Sequence, residues 1–465
     1  MITNNPSADY FEKVADQWDE LRSGYFTEAV REAAIAKAYL HPDMIAADVG
    51  AGTGFITAGL APLVKKVHVL DGSPAMLNLA REKLSAFQNL VFQEADGLTL
   101  PLAEAEVDAA FANMYLHHCP DPQEAIREMV RILRPGGRLV ITDMDTHTNE
   151  WLKSEMADVW LGFERNQIRT WFEQAGLVNV IVDDSGQACQ ASCQEDQETR
   201  ARISIFVATG TKKINVRDSV QASYAARVLG TGSGCDPASG CCSPGVISVD
   251  EVGTVSWDSG YSVTEKAEIP EEAAEISLGC GNPTAMAGLR EGEAVLDIGS
   301  GGGMDAFLAA KRVGPSGSVL GIDMTPAMLQ RARRAAEKGG FTNVKFRHGD
   351  AEKLPVKDGS VDVIISNCVI NLTEDKGKVF REAYRALKSG GRLEVNDMVF
   401  GGAVLPSMRT SMAGWSECIS GALPEGEYVD LVKQAGFKDI AVRRSTSSGT
   451  SAGIPVYSVQ VSGRK

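Results

Sequence analysis

Positive charge is scarce in this chain. Its 46 lysines and arginines are outnumbered by 61 aspartates and glutamates, for a formal net charge of −15. That balance argues against nucleic acid or an anionic membrane as a main partner. Long apolar runs are also missing, and none approaches the length that spans a bilayer. The chain does not open on a charged segment followed by an apolar one, so a cytoplasmic protein is expected. What the chain does have is nine cysteines. In such a setting they point to thiol chemistry or soft-ion binding rather than a disulfide framework. At 465 residues, two or three domains are expected, each with its own core.

The order of elements occurs twice. Residues 9–40 carry helical periodicity, with Tyr10, Phe11, Val14, Trp18 and Leu21 on one stripe, which predicts a covering helix over a core or a cofactor site. A strand then runs through Asp48 into the glycine-rich turn Gly50-Ala51-Gly52-Thr53-Gly54. A second strand ends at Asp71, a third before Asp96, and a fourth at Asn113. The same series returns downstream: Asp297 lies 249 positions after Asp48, and Asp323 lies 252 after Asp71. Asp350, Asp362, Asn367, Arg385 and Asp397 each follow their counterparts (Asp96, Asp108, Asn113, Arg131, Asp143) by 254. This predicts a tandem duplication of one doubly wound, seven-stranded α/β domain, with boundaries at 1–212 and 213–465. Between the copies, residues 230–245 form a Gly/Ser/Pro-rich stretch carrying Cys235, Cys241 and Cys242. Its composition predicts a loop that is mobile without a ligand.

The run Val361, Val363, Ile364, Ile365 reads as a buried parallel strand ending at Asn367 and Cys368. Open α/β sheets bind ligands at the carboxyl ends of their strands, so Cys368 would face the ligand. A small buried hydrophobe is the plain alternative for a lone cysteine. At each glycine turn, free N–H groups at a helix start and close backbone approach suit a nucleotide-like ligand. An acidic residue ending the next strand suits ribose hydroxyls.

Each copy also carries D-x-[ST]-P-A-M after the second strand, an Asp shortly before L-P, and a GGRL turn. Together these resemble class I S-adenosylmethionine-dependent methyltransferases. The resemblance implies that Gly50, Gly52, Gly299 and Gly301 hold the amino-acid part of the cofactor. Asp71 and Asp323 would take the ribose, with Met324 beside the adenine. Asp96 and Gly97, and Asp350 with Ala351 and Glu352, would lie at the adenine edge. Asp48, Asp297, Asn113 and Asn367 complete the cofactor set.

The second copy resembles arsenite methyltransferases more closely, through SLGCGNP (277–283), VLDIGSGGGMDAFLAA (295–310), GIDMTPAML (321–329), VDVIISNCVINL (361–372) and WSECISGAL (415–423). The resemblance implies that Cys280, Cys368 and Cys418 bind trivalent arsenic, with Cys241 and Cys242 matching a cysteine pair near the start of that family's domain. Three thiolates suit a soft, three-valent ion. Free thiols are mostly protonated at neutral pH, so binding releases protons. A thiol reductant of the glutathione or thioredoxin kind is implied alongside. No general base is needed, and no charged acid/base pair is evident near these motifs.

The first copy has Met114 at the position of Cys368 and Arg31 at that of Cys280, and it has no cysteine in the window matching Cys418. It resembles quinone-biosynthesis-type methyltransferases through NMYLHHCPDP, and is expected to bind the cofactor without methylating arsenite. His117 and His118 read as structural or substrate-lining, with a metal role the lesser alternative, and Cys119 as a bystander; Cys189 with Cys193 could form a redox or metal pair, but two ligands make an incomplete site, and a thiol-bearing loop is the favoured reading. Two other readings stay open: methylation of a small organic acceptor, and a metalloid- or zinc-binding protein on a vestigial methyltransferase fold.

Overall fold

Short β-branched runs bounded by glycine and aspartate become the buried strands of two sheets. The computed structural model describes residues 6–193, 199–229, 246–249, 253–256, 261–270, 273, 281–411, 415, 418–451 and 453–465. The chain divides into two compact units, residues 1–214 with 405–407, and residues 215–404 with 408–465. Each unit is described by itself.

In the first unit the strands are β1 (Ile45–Val49), β2 (Lys66–Asp71), β3 (Leu90–Glu94), β4 (Val107–Asn113), β5 (Leu133–Met144), β6 (Leu177–Ser192) and β7 (Arg200–Lys212). They form one sheet in the order β3-β2-β1-β4-β5-β7-β6. The first five are parallel, and β7 runs antiparallel between β5 and β6. The strand order reverses between β1 and β4. At such a reversal the crossover helices diverge and leave a crevice beyond the carboxyl ends.

The second unit holds a small hairpin of β8 (Val246–Val249) and β9 (Gly253–Ser256). Its main strands are β10 (Ala294–Ile298), β11 (Ser318–Asp323), β12 (Val344–His348), β13 (Val361–Asn367), β14 (Leu387–Phe400), β15 (Leu423–Pro424), β16 (Lys438–Ser451) and β17 (Ile454–Arg464). The order β12-β11-β10-β13-β14-β17-β16 repeats that of the first unit. The expectation of seven strands needs one correction here. The two-residue β15 adds an eighth, pairing with the end of β14 through Val399 and Leu423.

A second correction concerns Cys189 and Cys193. The loop expected around them is a strand: Cys189 lies inside β6, opposite Ile203, and Cys193 follows the strand's end. Cys189, Ala191 and Cys193 are buried while Gln190 and Ser192 are exposed, the period-two alternation of a sheet with one covered face. The stretch 230–245, expected to be mobile, lies outside the described residues.

One buried-edge device is duplicated. Asp108 accepts the Ile45 N–H (2.8 Å) and Arg134 Nη1 (2.8 Å), tying the start of β4 to the start of β1. Asp362 accepts the Ala294 N–H (2.9 Å) and Lys388 Nζ (2.8 Å) at the same place in the second unit. Burial acts to raise the Asp362 carboxyl. The Lys388 hydrogen bond, the Ala294 N–H and the Lys388 and Arg392 charges outweigh it, and the group lies below its ordinary value. A depressed carboxyl contributes stability that is present above the unfolded value of about 3.9 and lost as pH falls through the folded one. We therefore expect Asp362→Asn to lower the denaturation midpoint of the second unit at neutral pH, by about 1–2 kcal/mol, the usual worth of a charge-assisted hydrogen bond. The gap from wild type should close in acid, as followed by urea titration across pH.

Candidate active sites in the two units

The glycine turns are built by close approach. In the first unit Gly50, Gly52 and Gly54 all have left-handed backbone, with φ of 68°, 53° and 88°. A Cβ on Gly50 would collide with the ring of Tyr115, and one on Gly97 (φ 73°) would collide with the Tyr115 hydroxyl. Tyr115 therefore lies between the glycine turn and the turn after β3, on the side where strands β1, β3 and β4 end. In the second unit Gly299 (φ 73°) meets Val369, which stands where the first unit has Tyr115. Beyond Gly301 a Cβ would meet nothing within 4 Å. The space above this turn is open among the described residues.

The expected ribose aspartates hold the same position in both units. Asp71 accepts the N–H groups of Gly52 (2.7 Å) and Ser73 (2.9 Å). Asp323 accepts those of Gly301 (3.0 Å) and Thr325 (2.8 Å). Burial raises both carboxyls, with these N–H bonds acting against it. Each carboxylate is thus fixed in orientation beside its glycine turn. The strand aspartates sit deeper: Asp48 accepts both the N–H (2.9 Å) and Oγ1 (2.6 Å) of Thr57, bracing the following helix. Asp297 is buried, with Oδ2 lacking a hydrogen bond among the described residues. Burial pushes its carboxyl well up, and Asp305 and Asp323 add to that.

At the position expected to meet the adenine, Asp96 accepts the N–H groups of Leu98 (3.0 Å) and Thr99 (2.8 Å) and shapes its own turn. Asp350 accepts the Glu352 N–H (2.9 Å) through Oδ1, and its Oδ2 pairs with Arg217 (2.7 Å). Ala351 is half-buried beside it. Glu352 in turn accepts the Asp375 N–H (3.2 Å), and burial raises its carboxyl. Asn113 accepts from Thr142 Oγ1 (2.7 Å). Asn367 Nδ2 contacts the Tyr261 hydroxyl (2.8 Å), the Gly281 carbonyl (2.7 Å) and Asp305 (3.1 Å).

Both units also carry a strap that motif reading did not identify residue by residue. In the first, the helices Pro6–Val14 and Trp18–Tyr25 bring Glu12 to the Ser73 hydroxyl (2.5 Å) and Asp19 to Thr53 Oγ1 (2.6 Å). This is the covering element expected from the stripe at residues 9–40. In the second, helix Arg217–Leu229 places Gln221 Nε2 on the Met324 carbonyl (2.9 Å) and Arg217 on Asp350.

The acceptor sides differ. In the second unit Cys368 and Cys418 come together, with the Cys418 thiol donating to the Cys368 carbonyl at 2.9 Å. Both are buried, both have left-handed backbone (φ 55° and 63°), and they share an apolar cluster with Met398, Phe400, Ile419 and Ala422. Cys418 is outside any disulfide, whereas Cys368 is disulfide-bonded. Cys241, Cys242 and Cys280 lie outside the described residues. Beneath the two cysteines lies a charged group that sequence reading missed. Lys376 and Asp397 are both buried, and Asp397 accepts from the Tyr428 hydroxyl (3.1 Å) and the Asn371 N–H (3.1 Å). Burial lowers the lysine and raises the aspartate. A buried acid/base pair therefore does stand in this unit, with Lys376 4 residues and Asp397 25 residues past the motif that ends at Leu372, a correction to the expectation of none.

In the first unit Met114 takes the backbone position of Cys368, with φ 50° and its N–H on the Thr142 carbonyl (2.8 Å), as Cys368 N–H bonds that of Asn396 (2.8 Å). His117 follows, its Nδ1 2.7 Å from Asp143 Oδ1. Burial acts to lower this imidazole, but the Asp143 charge and hydrogen bond raise it overall. Cys119 is buried with its thiol toward the Tyr115 carbonyl (3.6 Å), and burial pushes it up to about 12, far from a reactive thiolate.

Known proteins resemble both parts of the chain. Residues 289–436 match a family described as a methyltransferase domain, and residues 47–141 match a second family of the same description. An arsenite methyltransferase of Halobacterium salinarum is 41% identical over 204 residues, 44% of this chain and 50% of that protein. The human arsenite methyltransferase is 40% identical over 178 residues, 36% of this chain and 47% of that protein. The chain thus spans about half the length of the curated relatives it matches. Among solved structures, an arsenic (III) S-adenosylmethionine methyltransferase from Chlamydomonas reinhardtii is 36% identical, covering 43% of this chain and 72% of that one at a TM-score of 0.39.

The Tyr115 contact makes a direct test. Gly97→Ala should destabilise the first unit by about 1–3 kcal/mol, combining the left-handed backbone penalty with the overlap. Adding Tyr115→Ala should recover part of that loss, so the double variant is less destabilised than the sum of the singles. Strict additivity in thermal denaturation would contradict the contact.

Proposed function

From the premise that the chain carries two domains of the S-adenosylmethionine-dependent methyltransferase family, we propose that its second unit transfers methyl groups to trivalent arsenic held by Cys280, Cys368 and Cys418. The observation that carries this reading is the meeting of Cys368 and Cys418 at the carboxyl end of β13, one residue from Asn367 and beside the turn that Val369 closes. Together with the arsenite methyltransferase relatives, it supports arsenite, and methylarsenite after it, as substrate.

The fit of the cofactor rests on the open space above Gly301, on the N–H-fixed Asp323 and on the buried Asp297. S-adenosylmethionine, when bound, supplies an electrophilic methyl group on a sulfonium. The residues of the chain supply orientation. Asp323 would take the ribose hydroxyls, Met324 and Asp350 would flank the adenine, and the Arg217–Leu229 strap would close over them. On the acceptor side, thiolates would hold arsenic with its lone pair toward the cofactor. A displacement of this kind asks mainly for alignment and exclusion of water, and the apolar cluster around Cys368 and Cys418 serves both. A thiol reductant would hold the ligating cysteines as thiols, able to take up arsenic. Cys241 and Cys242 would capture arsenic and pass it inward.

The first unit keeps the glycine turn, Asp71 and Asp96, and carries methionine in place of the central thiol. We assign it cofactor binding and a different, organic acceptor.

Cys418→Ser should abolish arsenite methylation by the full-length protein while cofactor binding, read by calorimetry, survives. Asp323→Ala should lower arsenite methylation at least ten-fold and Asp71→Ala should leave it within about two-fold, since ten-fold corresponds to about 1.4 kcal/mol. Turnover retained in Cys418→Ser, or lost equally in both aspartate variants, would contradict the assignment. Omitting the reductant should stop turnover.

A further inference from the structure

His117, His118 and Asp158 of the first unit form a cluster that the arsenic reading does not use. One ligand atom from each lies within 4.8 Å of the others, and all three residues are buried. Asp158 Oδ1 stands 3.7 Å from His117 Nε2 and 3.8 Å from His118 Nδ1, which also lies 3.3 Å from the Ala157 carbonyl, a contact an ion would displace. Among the described residues nothing donates a hydrogen bond to the Asp158 carboxylate, although its side chain is only 2% exposed. A buried carboxylate in that condition is costly unless a cation or a donor set completes it.

Asp143, fully buried, holds His117 Nδ1 at 2.7 Å and so turns Nε2 toward Asp158. A carboxylate behind a histidine, fixing its tautomer and rotation, is the usual support of a metal-bound imidazole. Phe11 packs edge-on against His118, with ring centroids 4.8 Å apart, and limits the rotation of the second ring. Charge agrees with geometry. Asp143 and Asp158 bring two carboxylates into one buried spot, and among the described residues neither has a lysine or arginine partner. A divalent cation would balance both.

The second copy lacks the two histidines. Its residues at the matching positions, 254 further on, are Asn371 and Leu372, and Asn371 Nδ2 is committed to the Met398 carbonyl (2.6 Å). The shared fold therefore does not require two histidines here.

We propose that His117, His118 and Asp158 bind a divalent transition-metal ion of the zinc class, with Asp143 as the positioning residue and a fourth position left for an oxygen or sulfur of the acceptor. Zinc bonds of about 2.0–2.1 Å put tetrahedral ligand atoms about 3.3–3.4 Å apart, so the two histidine–aspartate separations close by a few tenths of an ångström, and the two imidazole nitrogens, within 4.8 Å of each other, by up to about 1.5 Å. Two imidazoles and one carboxylate suit zinc better than calcium or magnesium, which prefer all-oxygen sets. Three protein ligands with one open position is the pattern of a zinc that meets substrate.

The test uses the full-length protein, freed of metal with a chelator and titrated with cobalt(II) as a spectroscopic stand-in for zinc. Wild type should bind one cobalt whose visible bands arise without a thiolate charge-transfer band, which separates this site from any cysteine-bound ion. Asp158→Asn and His118→Leu should each remove that ion. The leucine variant reproduces the residue the second unit carries, so it guards against a folding failure in the other. Asp143→Asn should weaken binding about 10- to 100-fold without removing it. Competition with zinc should erase the bands. Absence of a thiolate-free cobalt site in wild type, or its survival in either ligand variant with native circular dichroism, would overturn the proposal.

Discussion

The structure of each unit depends on how the chain leaves its fourth parallel strand. At Met114 and at Cys368 a non-glycine residue takes left-handed backbone, and its N–H reaches the carbonyl of the neighbouring strand, Thr142 or Asn396. That conformation costs about 1–2 kcal/mol for an L-residue, so it persists only because the surroundings over-determine it. The consequence is immediate. The next residue, Tyr115 or Val369, is thrown against Gly50 or Gly299, and only a residue without a Cβ fits there. Strand end, strained corner and glycine turn are one constraint, and the ligand cradle is its outer surface.

Above that floor the copies part, and the parting is chemical. Asp143 and Asp397 occupy matching places at the end of the fifth strand, both buried. In the first unit the carboxylate is answered by an imidazole, in the second by the Tyr428 hydroxyl, the Asn371 N–H and a buried lysine. Burying the acid costs the same in either case. The difference lies in what the compensating group leaves available: His117 still presents Nε2 to the acceptor side, while Asn371 has spent its amide on a backbone carbonyl. Beyond the end of its fourth strand, one unit thus keeps nitrogen and oxygen donors and the other keeps sulfur.

Legibility in the sequence followed from how local the signal was. The duplication could be read because Asp48, Asp71, Asp96 and Asp108 end or begin strands, where spacing is set by strand and crossover length and survives divergence. The glycine turns and the aspartates after the second strands are legible for the same reason. Cys189 and Cys193 were misread as a loop because the inward positions of β6 are Cys, Ala and Cys, too small to raise the hydrophobic alternation above its Gln and Ser neighbours. β15 is two residues long and leaves no periodicity at all. Asp158, the Lys376–Asp397 pair and the Arg217–Asp350 contact were not legible, since each joins segments distant in sequence, and no local pattern specifies which charge will be buried against which.

The thiol pair shows why position outranks count in reading such a site. Of the cysteines in the described residues, Cys119, Cys189, Cys193 and Cys418 are all outside any disulfide and buried, so burial alone does not separate them. What separates Cys418 is its backbone, left-handed and turned so that its sulfur meets the carbonyl of a second cysteine at a strand end. Cys119 instead bonds a carbonyl four residues back, and Cys189 points into the apolar face beneath Tyr25 and Met144. In those two, burial pushes the thiol up to about 12, which withholds the thiolate that a soft ion needs. The fold brings the Cys418 sulfur to the Cys368 carbonyl, and left-handed backbone at φ 63° and 55° is the structural cost of that arrangement.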